Sequence, residues 1–201
     1  MIQSRWQREE FAEGAVVLAR ALLGSYLVRH TAQAHFVGRI VETEAYGGTY
    51  DGKIDDGSHA SRGRTKRTAP MFEAGGIAYV YLIYGMYHCF NIVTGSRDTA
   101  EAVLIRAVEP VDGISAMLTN RKAEKFSVNL TNGPGKLCRA MDITLAQNGA
   151  DLCGDGLYLL HDDGSESVDI AVSRRRNIEY AAAGKQFPWR FYLRDNPFVS
   201  K

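Results

Sequence analysis

The chain is 201 residues long and 45% hydrophobic, enough apolar material for one sizeable core and little more, so a single domain over residues 1–201 is expected. Its 24 Lys and Arg stand against 23 Asp and Glu, a formal net charge of +1, which excludes a globally basic nucleic-acid binder and confines any basic footprint to local clusters. The start is polar, no apolar run nears the ~20 residues of a membrane span, and Cys89, Cys138 and Cys153 lack metal-ligand spacing; the expectation is a cytoplasmic protein with reduced thiols, no membrane and no metal.

Apolar residues at helical spacing, among them Phe11, Leu18 and Leu22, predict an amphipathic helix over 10–24 with Gly24 as its C-cap. From Ser25 the alternation is that of strands, one around Tyr26 and Val28 and one over 36–46, joined by a turn within 30–34. Residues 47–70 contain almost nothing that could be buried, and a connection this long between strongly patterned segments reads as functional. The β-rich runs 77–83 and 87–93 are separated by Tyr84, Gly85 and Met86, a hairpin signature with Gly in the turn. A strand over 103–108, a helix over 111–125, a Gly/Pro turn over 131–136, a short helix over 137–141, and strands over 157–161, 168–173 and 189–193 complete a mixed α+β domain.

Four groups of residues are candidates for chemistry. Strand periodicity places Glu42, Glu44 and Tyr46 on one face and Thr43 and Ala45 on the other. Two close carboxyls push one pKa upward, which suits acid–base work, but an exposed strand face has the same pattern, and spacing does not choose between Glu42 and Glu44. The polar loop that follows carries Ser58 and His59 near its centre. In the hairpin, Tyr79 and Tyr81 share a face while Tyr84 falls beside the turn, the shape of a wedge for the minor groove. Local basic charge sits at Arg62, Arg64, Lys66 and Arg67 and at Arg174, Arg175 and Arg176, either phosphate contacts or solvated surface. Asn132-Gly133-Pro134-Gly135-Lys136 lacks Walker A spacing; it is either a generic anion site at a helix start or a structural turn.

The stretches 38–46, 58–60, 63–65, 71–72, 79–87, 91–92, 104–110, 132–138 and 190–194 closely resemble, in order and over nearly the whole chain, the alkyladenine (methylpurine) DNA glycosylase family in its bacterial form. The resemblance implies a curved, mainly antiparallel sheet with surrounding helices and a protruding, DNA-intercalating β-hairpin. It implies that Glu44 is the general base for the water attacking C1′, that Arg106 helps hold that water, and that Tyr46, His59 and Tyr81 sandwich the flipped base. Tyr84 matches the intercalating residue, Asn91 a pocket residue that crowds the 2-amino group of guanine, and Gly135 and Lys136 a backbone-contacting segment, to which the basic loop adds Arg64. The implied partner is double-stranded DNA containing damaged purines, acted on by a monomer without a cofactor. Two stretches depart from the family: 174–178, where it often has Arg-apolar-Gly-apolar, and the loop between Tyr46 and His59, longer than in vertebrate members. The competing readings are a damage-binding module without catalysis and a carbohydrate glycosidase with Glu42 and Glu44 as its acid–base pair.

Overall fold

The structure, a computed structural model, describes residues 4–162, 164 and 168–200. Two twelve-residue strands, β2 (His35–Tyr46) and β7 (Glu101–Asp112), pair antiparallel at its centre. Beyond β7 lie β6 (Tyr87–Thr94) and then β5 (Ala78–Ile83). On its other side, the N-terminal half of β2 pairs with β1 (Tyr26–His30), which leads on to β8 (Leu157–Leu160). The C-terminal half of β2 pairs instead with β10 (Arg190–Leu193), itself flanked by β9 (Ile170–Ser173). All these pairings are antiparallel, and three α-helices accompany the sheet among the described residues: α1 (Ala15–Ala21), α2 (Ile114–Arg121) and α3 (Pro134–Ala140). The architecture is the expected α+β one.

The two faces of the sheet have different tasks. The hydroxyl of Thr43 donates to the carbonyl of Ala19 at 2.7 Å, so the odd residues of this part of β2 face α1. There, Phe11, Leu18, Leu22, Ile40, Ile105 and Leu137 are fully buried in the main core. Burial of such side chains contributes about 1.5–3 kcal/mol each before chain entropy is subtracted. The opposite face carries Glu42, Glu44 and Tyr46 and a smaller apolar cluster of Met71, Tyr79, Val93 and Ala102.

Several elements differ from the sequence reading, each for a local reason. The helix expected over 10–24 is split into a 3-10 turn, Arg8–Ala12, and the shorter α1, because Glu13 and Gly14 are extended; Gly24, at φ 92°, lies beyond the helix and donates to Ile40 instead of capping the last turn. The helix expected over 111–125 begins only at Ile114, because β7 continues to Asp112 and Gly113 turns the chain at φ 75°. The short helix expected over 137–141 starts three residues earlier, with Pro134 in its first turn, where a missing N–H costs nothing.

The segment 47–70 is the largest correction. It holds a two-stranded ribbon, β3 (Thr49–Tyr50) with β4 (Lys53–Ile54), and two 3-10 turns, His59–Arg62 and Ala69–Phe72. Asp55, Ser58 and Thr68 within it are buried. A run of polar residues conceals burial when the polar groups find partners inside, as these do.

Candidate active site

Alternate residues of four neighbouring strands converge on one cavity of about 370 Å³, near the lower end of small-molecule pockets. Strand β5 supplies Tyr79, Tyr81 and Ile83, β6 supplies Cys89 and Asn91, β7 supplies Ala102, Leu104 and Arg106, and β2 ends in Tyr46. The register accounts for the assembly: Tyr79 lies opposite Asn91, Tyr81 opposite Cys89, Asn91 opposite Leu104, and Tyr46 opposite Ala102, so one face of the sheet becomes the cavity wall. His59, Arg67 and the loop residues Arg176 to Ile178 close the other side.

Arg106 is placed by irregular pairing. Glu42 lies opposite Ala107 and Thr43 opposite Ile105, so Arg106 has no cross-strand mate and its guanidinium is free to reach both acids of β2. Its Nε donates to Glu42 at 3.0 Å and its Nη1 to Glu44 at 3.2 Å, with all three side chains buried. Burial opposes the charge of Arg106, but Glu44 and Glu42 outweigh it and raise the guanidinium pKa above its ordinary value.

The two carboxylates have different partners. Glu42 Oε1 accepts from Arg106, from Arg190 at 2.6 Å and from the Ser200 hydroxyl at 2.8 Å, and Oε2 accepts from the Ser200 amide at 2.7 Å. A carboxylate offers roughly four acceptor positions, and Glu42 receives four hydrogen bonds, three crowded on Oε1 and one on Oε2. Glu44 is equally buried, but Oε2 accepts from Arg106 and from Tyr46 at 2.8 Å while Oε1 accepts, among the described residues, only from the Arg176 amide at 2.8 Å. Among the described residues Glu44 thus receives three hydrogen bonds, and its Oε1 has room for a further donor. Glu44 is not itself a wall of the cavity; its three partners Tyr46, Arg106 and Arg176 are.

The rings are held as a set. His59 meets Tyr81 edge to face, 4.6 Å between centroids, and its Nδ1 lies 3.2 Å from the Tyr79 hydroxyl. Tyr79 and Tyr81 are 5.3 Å apart. Burial, with the nearby charge of Glu44 second, raises the Tyr46 pKa well above its usual value, so its hydroxyl stays a donor to Glu44. Burial, and then the charge of Arg67, depresses the His59 pKa to about 4, leaving a neutral imidazole near pH 7. Since an unfolded histidine titrates near ~6.5, the unfolded chain binds the extra proton first. The stability tied to a neutral His59 is complete above that value and is lost as pH falls toward 4. His59→Gln is therefore expected to lose less melting temperature than wild type between pH 7 and pH 4.5, and calorimetric scans at several pH values check it.

Tyr84 stands at the tip of the β5–β6 hairpin, 77% exposed, at φ 54° followed by Gly85 at φ 69°. Met86 and Tyr87 beside it are also exposed. A bulky residue in the left-handed region costs of order 1–3 kcal/mol, and glycine would avoid that cost. Asn91 is buried, its side-chain amide donating to the Tyr79 carbonyl at 3.0 Å.

The remaining site candidates lie away from the cavity wall. Arg64 is exposed, 3.0 Å from Glu73 and 3.7 Å from Asp98. Lys136 donates to Asn129 and Asn132, and Gly135 allows α3 to approach the ring of Tyr87, which a Cβ would crowd at 3.1 Å. Of the arginine run 174–176, Arg175 is buried, paired with Asp55, and is no surface phosphate contact. Sequence reasoning places Arg67 only in a basic run, whereas its guanidinium lies 4.9 Å over Tyr81, and it does not mark Cys89 or Tyr79 as cavity walls; for these two, the two-residue period from Asn91 and Tyr81 is the available signal.

A buried carboxylate held by a guanidinium, with its partners in the wall of an aromatic cavity, has the parts that general-base chemistry on a bound substrate needs. The model of the family described as methylpurine-DNA glycosylase matches residues 9–197. The chain is 47% identical to a Clostridium tetani protein, with 97% of this chain and 98% of that protein covered, and 46% identical to one from Alkaliphilus oremlandii, with 97% and 98% covered. A Natranaerobius thermophilus protein is 47% identical, with 96% of each chain covered. All three carry the provisional name 3-methyladenine DNA glycosylase. The chain belongs to the methylpurine-DNA glycosylase family, a family of DNA-repair hydrolases. No helix among the described residues is long and apolar enough to cross a membrane.

Proposed function

We propose that the protein flips alkylated purines from duplex DNA into the cavity and hydrolyses the N-glycosidic bond with a water activated by Glu44, leaving an abasic site. The observation that carries this reading is that Glu44 receives three hydrogen bonds, all from groups that line the cavity, with a single donor on Oε1, whereas Glu42 receives four. A water donating there loses a proton to Glu44 as its oxygen bonds to C1′; the C1′–N bond breaks and its electron pair leaves with the purine. Methylation at N3 or N7 makes the purine cationic, so it departs as a neutral base. The negative charge of Glu44 also stabilises the positive charge developing on the sugar.

Selection follows from the walls. Tyr46, Tyr81 and neutral His59 present ring faces and edges without a positive charge of their own, and a cationic base gains about 0.5–2 kcal/mol per good ring contact. Normal purines lack that gain, and Asn91, buried in the cavity wall, is assigned to crowd the 2-amino group of guanine. Neutral deaminated purines depend on hydrogen bonds to the leaving base and are excised more slowly. Arg64, Gly135 and Lys136 are assigned to the DNA backbone, and the protein acts as a monomer.

Tyr84 is the intercalating wedge in this reading, which gives its exposed, strained position a purpose. Tyr84→Gly is expected to raise stability by about 1 kcal/mol, because it releases the left-handed strain, while lowering excision of base-paired lesions more than of unpaired ones. Equal losses on both substrates would remove the wedge role. The overall test is incubation with duplexes containing single methylated purines: release of free base and alkali-labile abasic sites is expected, and binding without abasic sites would replace the enzyme with a damage-binding module.

A further inference from the structure

Arg175 and Asp55 lie behind the site, do not line the cavity, and are among the most completely buried charges in the chain. The guanidinium spreads over four acceptors: Asp55 Oδ2 at 2.7 Å, Asp55 Oδ1 at 2.5 Å, the Ala45 carbonyl at 2.8 Å and the Gly184 carbonyl at 2.9 Å. Its flat face lies 4.5 Å from the centroid of Tyr46. Asp55 also accepts from the amides of Gly47 and Gly57, at 2.9 and 3.0 Å. The surroundings fit the pair closely, since a Cβ on Gly184 would collide with Asp55 Oδ1.

Two of the three groups that hold Glu44 are next to this pair. Tyr46, whose hydroxyl donates to Oε2, lies against the guanidinium; the Arg176 amide, which donates to Oε1, belongs to the residue following Arg175. Resting on the assignment of Glu44 as base, we infer that Asp55 and Arg175 form a positioning pair for the reaction, fixing through the Tyr46 ring and the Arg176 amide the orientation of the Glu44 carboxylate. A plain structural staple would need only the 47–57 loop and the Gly184 turn. The contacts to Ala45, to the Tyr46 ring and through the chain to Arg176 are the ones directed at the base.

The test is Arg175→Lys, which keeps the charge but lacks the planar fork and the stacking face. Single-turnover excision is expected to fall by ~10-fold to ~100-fold, the scale of a sub-ångström to ångström misplacement. Affinity for a duplex carrying an abasic-site analogue should stay within about threefold, because no wall residue changes. Hydrogen exchange at the Arg176 amide should accelerate. In a Tyr46→Phe background the same substitution should cost markedly less, since part of its route is gone. Equal rate losses in both backgrounds with Arg176 exchange unchanged would overturn the inference. If Arg175→Lys does not unfold cooperatively, Asp55→Asn supplies the same comparisons. A wild type that releases no methylated base would sink the role of Glu44, whereas the Arg176 exchange of the variant would still decide whether the pair sets the carboxylate's donor.

Discussion

Glu44→Gln is expected to lower the single-turnover rate of methylated-purine excision by about 10²–10⁴-fold, the usual contribution of a general base. Glutamine fills the same space but cannot take the proton, and its NH₂ group must face one of three donors. Tyr46 can turn its hydroxyl to accept, whereas Arg106 and the Arg176 amide cannot. A stability loss of about 1–3 kcal/mol should accompany the change, so rates are compared well below the variant's melting temperature. Binding of lesion-containing duplex should persist because the ring walls are intact. Glu42→Gln gives the opposite balance: its carboxylate takes four hydrogen bonds from Arg106, Arg190 and Ser200, two of them from guanidinium groups, so stability falls more than the rate does. Excision lost in Glu42→Gln but kept in Glu44→Gln would exchange the roles of the two acids.

The choice between those acids marks the boundary of what the chain reveals locally. Period-two alternation places Glu42, Glu44 and Tyr46 on one face, and likewise Tyr79 with Tyr81, because each strand carries its own facing pattern. The hairpin tip is legible for the same reason: Gly85 beside Tyr84 marks a turn needing positive φ. The partners of Glu42 are not legible, since Arg190 and Ser200 come from the far end of the chain and only tertiary packing brings them to β2. The bulge that releases Arg106 has no period of its own; the role of that residue comes from family resemblance. Arg175 reads with its exposed neighbour Arg174 as one basic run, and its burial depends on Asp55, 120 positions away in a segment whose composition is that of a solvated loop. Charged residues are mostly exposed, so a buried pair of this kind is the feature a local reading misses.

Arg106→Met should destabilise the fold more than either glutamate-to-glutamine change, by about 3–5 kcal/mol, the scale of removing one partner from a buried ion pair. The loss falls unequally on the two acids. Glu42 retains Arg190 and both groups of Ser200, whereas Glu44 retains, among the described residues, two neutral donors, the Tyr46 hydroxyl and the Arg176 amide. The uncompensated charge is therefore that of Glu44, and a second substitution, Glu44→Gln, should restore a large part of the lost stability, while Glu42→Gln in the same background should restore little. Denaturant unfolding of the single and double variants measures this directly as a coupling energy. Excision by Arg106→Met should fall by about 10²–10³-fold, as when a preorganised charged donor is removed from a reacting site. The stability-rescued double variant lacks the base and stays inactive whatever the guanidinium does, so the guanidinium's share in the chemistry is read from Arg106→Met alone, assayed well below its melting temperature. Rescue by Glu42→Gln instead would place the unpaired charge on the other acid and withdraw Glu44 as the carboxylate Arg106 serves.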